Sequence, residues 1–388
     1  MSGRGPERKM LFVAGGTGGH IYPALAVGRA LGQKHPDVER LYVCGSKTLE
    51  VELYRREGVE PHVLDIQPLR SGIISRVSGA VKLAGGFLSA LRLLRSWRPH
   101  RVMGQGGYVT APVLLAARVL GIPCDLQEQN SVPGRANRWF ARWAEEIFCS
   151  FAEAPPLFPP SFRSRCVFTG MPLRASAVQR NGASLPQSRK VWGLDPDLTT
   201  LLVIGGSQGA RSLNAHLLKS LRELDRVSKD GGMFQCLWST GEANYSMMED
   251  ALVSEPFSRI RVKLVPFIGD VGSAYASADA VLSRSGACSV AEICANGLPA
   301  VFIPLAHAIG NHQKINAMAA EKAGAAMVIT EDQLETSALT SALCELLNSR
   351  ETRERMGRCA RMVFPGNAAE IIAEKIYEKL QKKCLKSG

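Results

Sequence analysis

A chain of 388 residues with 46% apolar residues is long enough for two domains that each bury a core. Its ten cysteines are scattered without a CxxC pair or zinc-like spacing and read as reduced thiols packed as small apolar residues. No stretch approaches the roughly 18 uncharged apolar residues of a spanning helix, and the apolar run MLFVA after MSGRGPERK is too short for a signal peptide, so the chain reads as soluble or peripheral.

Short strand-like runs alternate with longer helical ones, which argues parallel sheets covered by helices. Strands are predicted in the first half at 10–14, 41–44, 63–66, 102–103, 124–127, 147–149 and 167–169. In the second half they fall at 201–204, 235–239, 261–265, 280–283, 300–303 and 327–329, with helices such as 23–34, 213–224 and 290–296 between. The first strand runs into GGTGGH, Gly15 to His20. A dinucleotide fingerprint would need a third glycine where Ile21 stands and an acid after the second strand, where Cys44-Gly45-Ser46 stands. His20 closes the loop at a strand end, as either a general base or a structural histidine bonded to the loop.

The net charge of +12 is unevenly spread. Between Ile66 and Cys124 there is no Asp or Glu, and Arg70, Arg76, Lys82, Arg92, Arg95, Arg98, Arg101 and Arg118 mix with apolar residues from Ile73 to Trp97. This helix reads as one that lies on an anionic bilayer, or as a crossover helix with solvated arginines. Few aromatics accompany the basic residues, so nucleic acid is not expected. The window ends in GQGGYVTAP, where Gly106 and Gly107 can lie close to an anion and Pro112 suits the first turn of the next helix.

Proline-rich 154–160 and polar 181–189, which lacks a periodic face, separate the halves. The predicted organisation is an N-terminal domain at 1–173, a second domain at 174–363 and a closing helix at 364–388 that crosses back to the first domain. The second domain opens with LLVIGGSQGA, a phosphate-type turn with Ser207 and Gln208 and no Walker lysine. Asp195-Pro196-Asp197 matches a D-x-D metal motif by letter but reads as a turn. Further on, Ser285-Gly286-Ala287 forms another turn, its helix starting near Ser289 with Glu292 in the first turn. Glu292 there serves either the helix dipole or ribose hydroxyls. His307, His312, Gln313 and Asn316 follow in a polar loop, without the partners of a metal site.

In this order GGTGGHIYPALAV, GQGGYVTAP, EQNSVPGRANRW, FTGMPLR, GGSQGARSLN, RSGACSVAEI and HQKINA resemble the MurG family of bacterial N-acetylglucosaminyltransferases, from roughly Lys9 to Leu380. The resemblance implies an α/β protein of the GT-B fold: two Rossmann-like, doubly wound parallel-sheet domains facing a cleft. It implies inverting transfer of GlcNAc from UDP-GlcNAc to the C4 hydroxyl of MurNAc in undecaprenyl-diphospho-MurNAc-pentapeptide (lipid I), forming lipid II. It implies no cofactor and no metal ligands, and a peripheral position on the cytoplasmic face of the inner membrane among cell-wall synthesis and division proteins.

Carried onto this chain, His20 and Asn130 are the catalytic candidates. The donor would meet Arg174, Ser207, Gln208, Ile268, Ala287, Cys288, Ser289, Val290, Ala291, Glu292 and Gln313, with Thr17, Gly18, Gly19 and Asn130 on the other wall. The acceptor diphosphate would meet Gly15, Gly16, Gly106 and Gly107, with Tyr108 nearby. Two positions depart from the family pattern: Gln127 replaces the histidine before Glu128, and Gly310 replaces an acidic residue. Another GT-B transferase with a different lipid or natural-product acceptor, a UDP-GlcNAc 2-epimerase, and a non-catalytic sugar-nucleotide-binding subunit remain open alternatives.

Overall fold

The computed structural model describes residues 8–66, 73–178, 185–205, 211–227, 234–334 and 337–384, with side chains from residue 84 in the helix that begins at 73. They fall into two compact units, Met1–Arg174 with Pro365–Gly388, and Ala175–Phe364.

Unit 1 holds strands β1 (Arg8–Val13), β2 (Val38–Cys44), β3 (His62–Val63), β4 (Arg101–Gly104), β5 (Cys124–Glu128), β6 (Ala144–Cys149) and β7 (Cys166–Phe168). All pair in parallel, in the order β3-β2-β1-β4-β5-β6-β7. Helices α1 (Gly18–Lys34), α2 (Thr48–Arg56), α3 (Ile73–Trp97), α4 (Thr110–Val119) and α5 (Arg135–Phe140) connect them. The central strands β4 and β5 are buried along their whole length, as a sheet covered on both faces requires. One face packs Leu11, Val13, Val102 and Leu126 under α3 and α4. The other packs Met10, Phe12, Met103 and Phe148 under α1 and the closing helix.

Unit 2 holds β8 (Thr199–Ile204), β9 (Phe234–Ser239), β10 (Ile260–Val265), β11 (Ala280–Ser283), β12 (Ala300–Phe302) and β13 (Ala326–Val328), parallel in the order β10-β9-β8-β11-β12-β13. Its helices are α6 (Leu185–Val191), α7 (Arg211–Val227), α8 (Tyr245–Ser254), α9 (Val271–Ser277), α10 (Ala287–Ala295), α11 (His312–Lys322), α12 (Ala338–Asn348) and α13 (Arg350–Ala360). The chain then returns to unit 1 as α14 (Ala368–Cys384), whose Ile372, Ile376 and Leu380 join the core beside α1. In each sheet the strand order reverses between two centre strands, β1 and β4 in one and β8 and β11 in the other. Open α/β sheets bind ligands outside the strand C-termini at such a switch point.

Two sequence expectations need correction, and a third stands between two readings. Part of 181–189, expected to lack a periodic face, opens α6 at Leu185, because Arg189 docks the helix by donating to the carbonyls of Ser277 and Pro196 and pairing with Asp279. Arg101 is not part of a solvated basic face: it is buried against Asp125 at 2.8 Å and Glu145 at 2.5 Å. In the described part of α3, Ala90, Leu91 and Leu94 lie in the core while Leu88, Arg92 and Arg95 are exposed, which is the packing of a crossover helix.

Asp125 is the centre of an ion cluster that fastens α14. Besides Arg101 it takes Lys379 at 3.1 Å and the Glu146 amide, and Lys379 reaches Glu146 at 2.9 Å. A buried carboxylate stripped of its partner is strongly destabilising. Arg101→Met should therefore lower unfolding stability by about 3–5 kcal/mol, read by urea denaturation; a loss within about 0.5 kcal/mol, the scale of a surface substitution, would show the cluster to be dispensable.

Candidate active site

The switch point of unit 1 is built from two glycine loops in backbone contact. Val13 and Gly104 are register partners, so the loops leaving β1 and β4 start side by side. The Gln105 amide donates to the Val13 carbonyl at 2.9 Å, extending the ladder by one bond. Gly106 and Gly107 then take φ of 98° and 83°, a left-handed region costly for other residues. A Cβ on Gly107 would lie 2.2 Å from the Gly15 carbonyl oxygen, and one on Gly106 would lie 2.7 Å from the His20 ring. The Thr110 hydroxyl donates to the Gly106 carbonyl at 2.6 Å and closes the turn onto α4.

His20 lies in the first turn of α1 and is half-buried. Its Nδ1 is 3.1 Å from the Gly15 carbonyl, an acceptor only, so Nδ1 carries the proton and Nε2 is the basic nitrogen. Burial pushes its pKa below the ordinary 6.5, and the bond to Gly15 offsets part of that shift. The imidazole is thus held neutral near pH 7, in the protonation state a general base requires. Thr17 is the exposed N-cap of α1, with no acid in the first turn, so the positive end of the helix dipole is uncompensated by the helix's own side chains. Gly18 packs under the Tyr22 ring.

The next strand, β5, delivers Glu128, Gln129 and Asn130. Glu128 is buried and accepts from the Asn130 amide at 3.0 Å, the Gly134 amide at 2.9 Å and Asn137 Nδ2 at 2.8 Å. Burial raises its pKa while these bonds pull the other way. Gln129 Nε2 donates to the Gln105 carbonyl at 2.7 Å, tying this loop to GQGGY. The structure therefore brings together Gly15, Gly16, His20, Gly106 and Gly107, with Asn130 on the adjoining loop. Arg174 sits against α1: its guanidinium stacks 3.6 Å from the Tyr22 ring centre and pairs with Glu57 at 3.0 Å.

Unit 2 carries its own switch-point site. Its first loop, with Ser207 and Gln208, lies outside the described residues. The Ser285-Gly286 turn follows β11, and α10 begins at Ala287 with Gly286 as N-cap, earlier than expected. Glu292 is therefore beyond the first turn and does not serve the helix dipole; its Oε2 accepts from the Tyr275 hydroxyl at 3.1 Å. Cys288 and Ser289 are half-buried, whereas the side chains of Val290 and Ala291 are fully buried and leave only main chain for a ligand. Ile268 is buried in the loop after β10. His312, Gln313 and Asn316 lie on α11 and not in a loop; Gln313 Oε1 accepts from the Leu305 amide at 3.0 Å and Asn316 donates to the Ser285 carbonyl. Gly310 takes φ of 64°, so the departure from an acidic residue falls where glycine is unstrained. Asp195 accepts from the Asp197 amide and pairs with Arg261 at 2.9 Å, as a turn residue does. Among the described residues no group of three or more His, Cys, Asp and Glu could hold a metal ion.

Sequence reading missed three groups. Glu50 is fully buried beneath the unit 1 loops. Glu128 carries no sequence signal beyond its place in EQNSVPGRANRW. Arg284 is buried, donates to the Ile303 and Pro304 carbonyls and pairs with Glu331 at 2.6 Å, joining the loops after β11, β12 and β13. No charge signal distinguished Arg284 or Glu50, because each sits among residues typical of a helix or loop surface.

Two parallel-sheet domains, each with a glycine turn at its switch point, are the architecture of the GT-B fold. The model of the glycosyltransferase family 28 N-terminal domain matches residues 10–149, and that of the C-terminal domain matches residues 200–376. A relative in Moorella thermoacetica, named UDP-N-acetylglucosamine–N-acetylmuramyl-(pentapeptide) pyrophosphoryl-undecaprenol N-acetylglucosamine transferase, is 36% identical over 377 residues, covering 96% of this chain and 99% of its own. The crystal structure of Acinetobacter baumannii MurG superposes with a TM-score of 0.73 at 26% identity, covering 96% of this chain and 99% of that one. A UDP-GlcNAc 2-epimerase from Neisseria meningitidis shares the fold at a TM-score of 0.68 and 14% identity, covering 95% of this chain and 100% of that one. The chain belongs to the MurG family of glycosyltransferase family 28.

The loop contact predicts an asymmetric response to alanine. Gly107→Ala adds a left-handed alanine and a clash, and should cost about 1–3 kcal/mol. Gly85→Ala, in α3 with open space around it, should instead stabilise by up to about 1 kcal/mol. Chemical denaturation of both variants checks this; equal effects would mean that the loops are not held in contact.

Proposed function

We propose that this chain transfers N-acetylglucosamine from UDP-GlcNAc to the C4 hydroxyl of MurNAc in lipid I, with inversion, forming lipid II for peptidoglycan synthesis. Full-length similarity to relatives of that name supports the reaction class. The observation that carries the chemistry is His20: a neutral imidazole, fixed by the Gly15 carbonyl, with Nε2 against the loop of Gly106 and Gly107.

In this reading Gly15, Gly16, Gly106, Gly107 and Tyr108 receive the acceptor diphosphate through loop amides and the α1 dipole. His20 Nε2 removes the proton from the acceptor hydroxyl as its oxygen attacks C1 of the sugar. Asn130, held by Glu128, orients the reacting groups. The C1–O bond to UDP breaks, and the departing charge is stabilised by Ser207 and Gln208 and the N-terminus of α10 from Ala287 to Ser289. Val290 and Ala291 contribute main chain only. Glu292 takes the ribose hydroxyls, Ile268 the uracil through its main chain, and Gln313 the GlcNAc hydroxyls. Thr17, Gly18, Gly19 and Arg174 are assigned to the donor as well.

Transfer of labelled GlcNAc to a lipid I analogue, with the anomer of the product determined, tests the reaction. A β-1,4 product is expected; UDP-ManNAc formed without acceptor, or UDP binding without turnover, would overturn it. His20→Ala should lower turnover by about 10²–10⁴-fold with UDP-GlcNAc affinity little changed. Because His20 must be neutral and its pKa is depressed, the acid limb of the activity profile should lie below the ordinary imidazole range, with activity lost as pH falls through that lowered pKa. A variant with normal turnover would remove His20 from the role.

The enzyme is read as peripheral, on the cytoplasmic face of the inner membrane beside its lipid acceptor. No helix among the described residues is long and apolar enough to cross a membrane. The acid-free window from 66 to 124, with Leu88, Arg92 and Arg95 exposed on α3, supports contact with anionic lipid. Vesicle flotation should show salt-sensitive binding to anionic vesicles and none to neutral ones; equal recovery with both would remove the membrane reading.

A further inference from the structure

Glu50 lies beside both loops of the acceptor site, near Gly15 of one and Tyr108 of the other, and has no role in the mechanism above. It lies in the first turn of α2 and has no solvent exposure. A charged residue buried so completely needs partners. Oε2 has one: it accepts from the Gly45 amide at 2.9 Å, at the end of β2. The same oxygen is 2.7 Å from where a Cβ on Gly15 would stand, so it lies beside the residue whose carbonyl holds His20. Oε1 makes no hydrogen bond.

The matching orphan is close by. The Tyr108 hydroxyl is buried and likewise unbonded. It lies 2.1 Å from where a Cβ on Gly45 would stand, so only glycine at 45 admits it. Burial first, and then the nearby Glu50 carboxylate, push the Tyr108 phenol pKa up, so its proton is retained. The Lys47 ammonium covers the ring face at 5.4 Å. An unpartnered O–H donor and an unpartnered carboxylate oxygen thus share one buried space beneath the ends of β2, β1 and β4. Each such group costs free energy until it is paired.

We infer that Glu50 is a positioning residue of the acceptor site: its Oε1 receives the Tyr108 hydroxyl and thereby sets the GQGGY loop against the GGTGGH loop for the acceptor diphosphate. This rests on the reading of unit 1 as the acceptor site. No bond to substrate is formed or broken by Glu50; a carboxylate seated behind the loops draws the phenol O–H inward and leaves the loop amides facing out. The Gly45 amide and the Gly15 contact fix Oε2, so Oε1 is the oxygen that can move its partner.

Steady-state kinetics with UDP-GlcNAc and a lipid I analogue test this, starting with the unaltered enzyme, whose failure to transfer would overturn the functional reading and not this one. Glu50→Gln keeps size and an acceptor for Gly45 but loses the charge. It should raise the acceptor KM about tenfold, the worth of one charge-assisted hydrogen bond, with the UDP-GlcNAc KM unchanged. Tyr108→Phe should give the same split, and the double variant should be no worse than either single one. A wild-type acceptor KM in Glu50→Gln, a parallel rise in both KM values, or additive effects in the double variant would overturn the inference. Should Glu50→Gln not fold, Tyr108→Phe decides: an unchanged acceptor KM there overturns it equally.

Discussion

The approach of Gly107 to Gly15 is the contact on which the unit 1 site depends. It places two strand-end loops at van der Waals distance through backbone alone, and a side chain at Gly107 would run into the Gly15 main chain. The setting of His20 follows from it. The Gly15 carbonyl faces His20 because the loop is pinned, the imidazole has a defined tautomer because the carbonyl is there, and Nε2 is the basic nitrogen because Nδ1 is occupied. Preorganisation of this kind is where an enzyme gains most, since the geometry is set before the substrate arrives.

The sheets explain why that contact falls where it does. Parallel strands buried on both faces send every loop that follows a strand to one edge, and the reversal of order between β1 and β4 leaves a crevice there. Unit 2 repeats the solution at β8 and β11 with different residues, so the two units share a construction and not a sequence. The charges beneath are arranged to hold the frame. Asp125 with Arg101 and Lys379 fastens the returning helix to unit 1, and Arg284 with Glu331 joins two loops of unit 2.

Most of the fold was legible because apolar runs between glycine turns are a strong signal for buried parallel strands; a strand was read at each of β1 to β13. Boundaries were weaker. The helix at Ala287 was placed two residues late because a small-residue first turn, Ala-Cys-Ser, resembles the loop before it. The helix at 185–191 was missed because its stability comes from Arg189 reaching Ser277 and Asp279, distant in sequence. Glu50 was invisible for a related reason: TLEVELYRR has the composition of a solvated helix, and only the fold turns its first acid inward.

Gln127 shows how far a local departure reaches. It follows Leu126, which faces the α3 side, and pairs in register with Phe148, which faces α1 and α14; alternation therefore directs its amide into the second core layer. Both its Oε1 and Nε2 are buried without a hydrogen bond. Unpaired buried polar atoms cost about 1–3 kcal/mol each, so this strand carries a local cost that its neighbours must offset. The neighbours do so through main chain and not through Gln127 itself: Asn137 donates to the Gln127 carbonyl and to Glu128, while Gln129 bonds Gln105. The loop bearing Asn130 is thus fixed from both flanks, and the replacement at Gln127 leaves its anchoring intact.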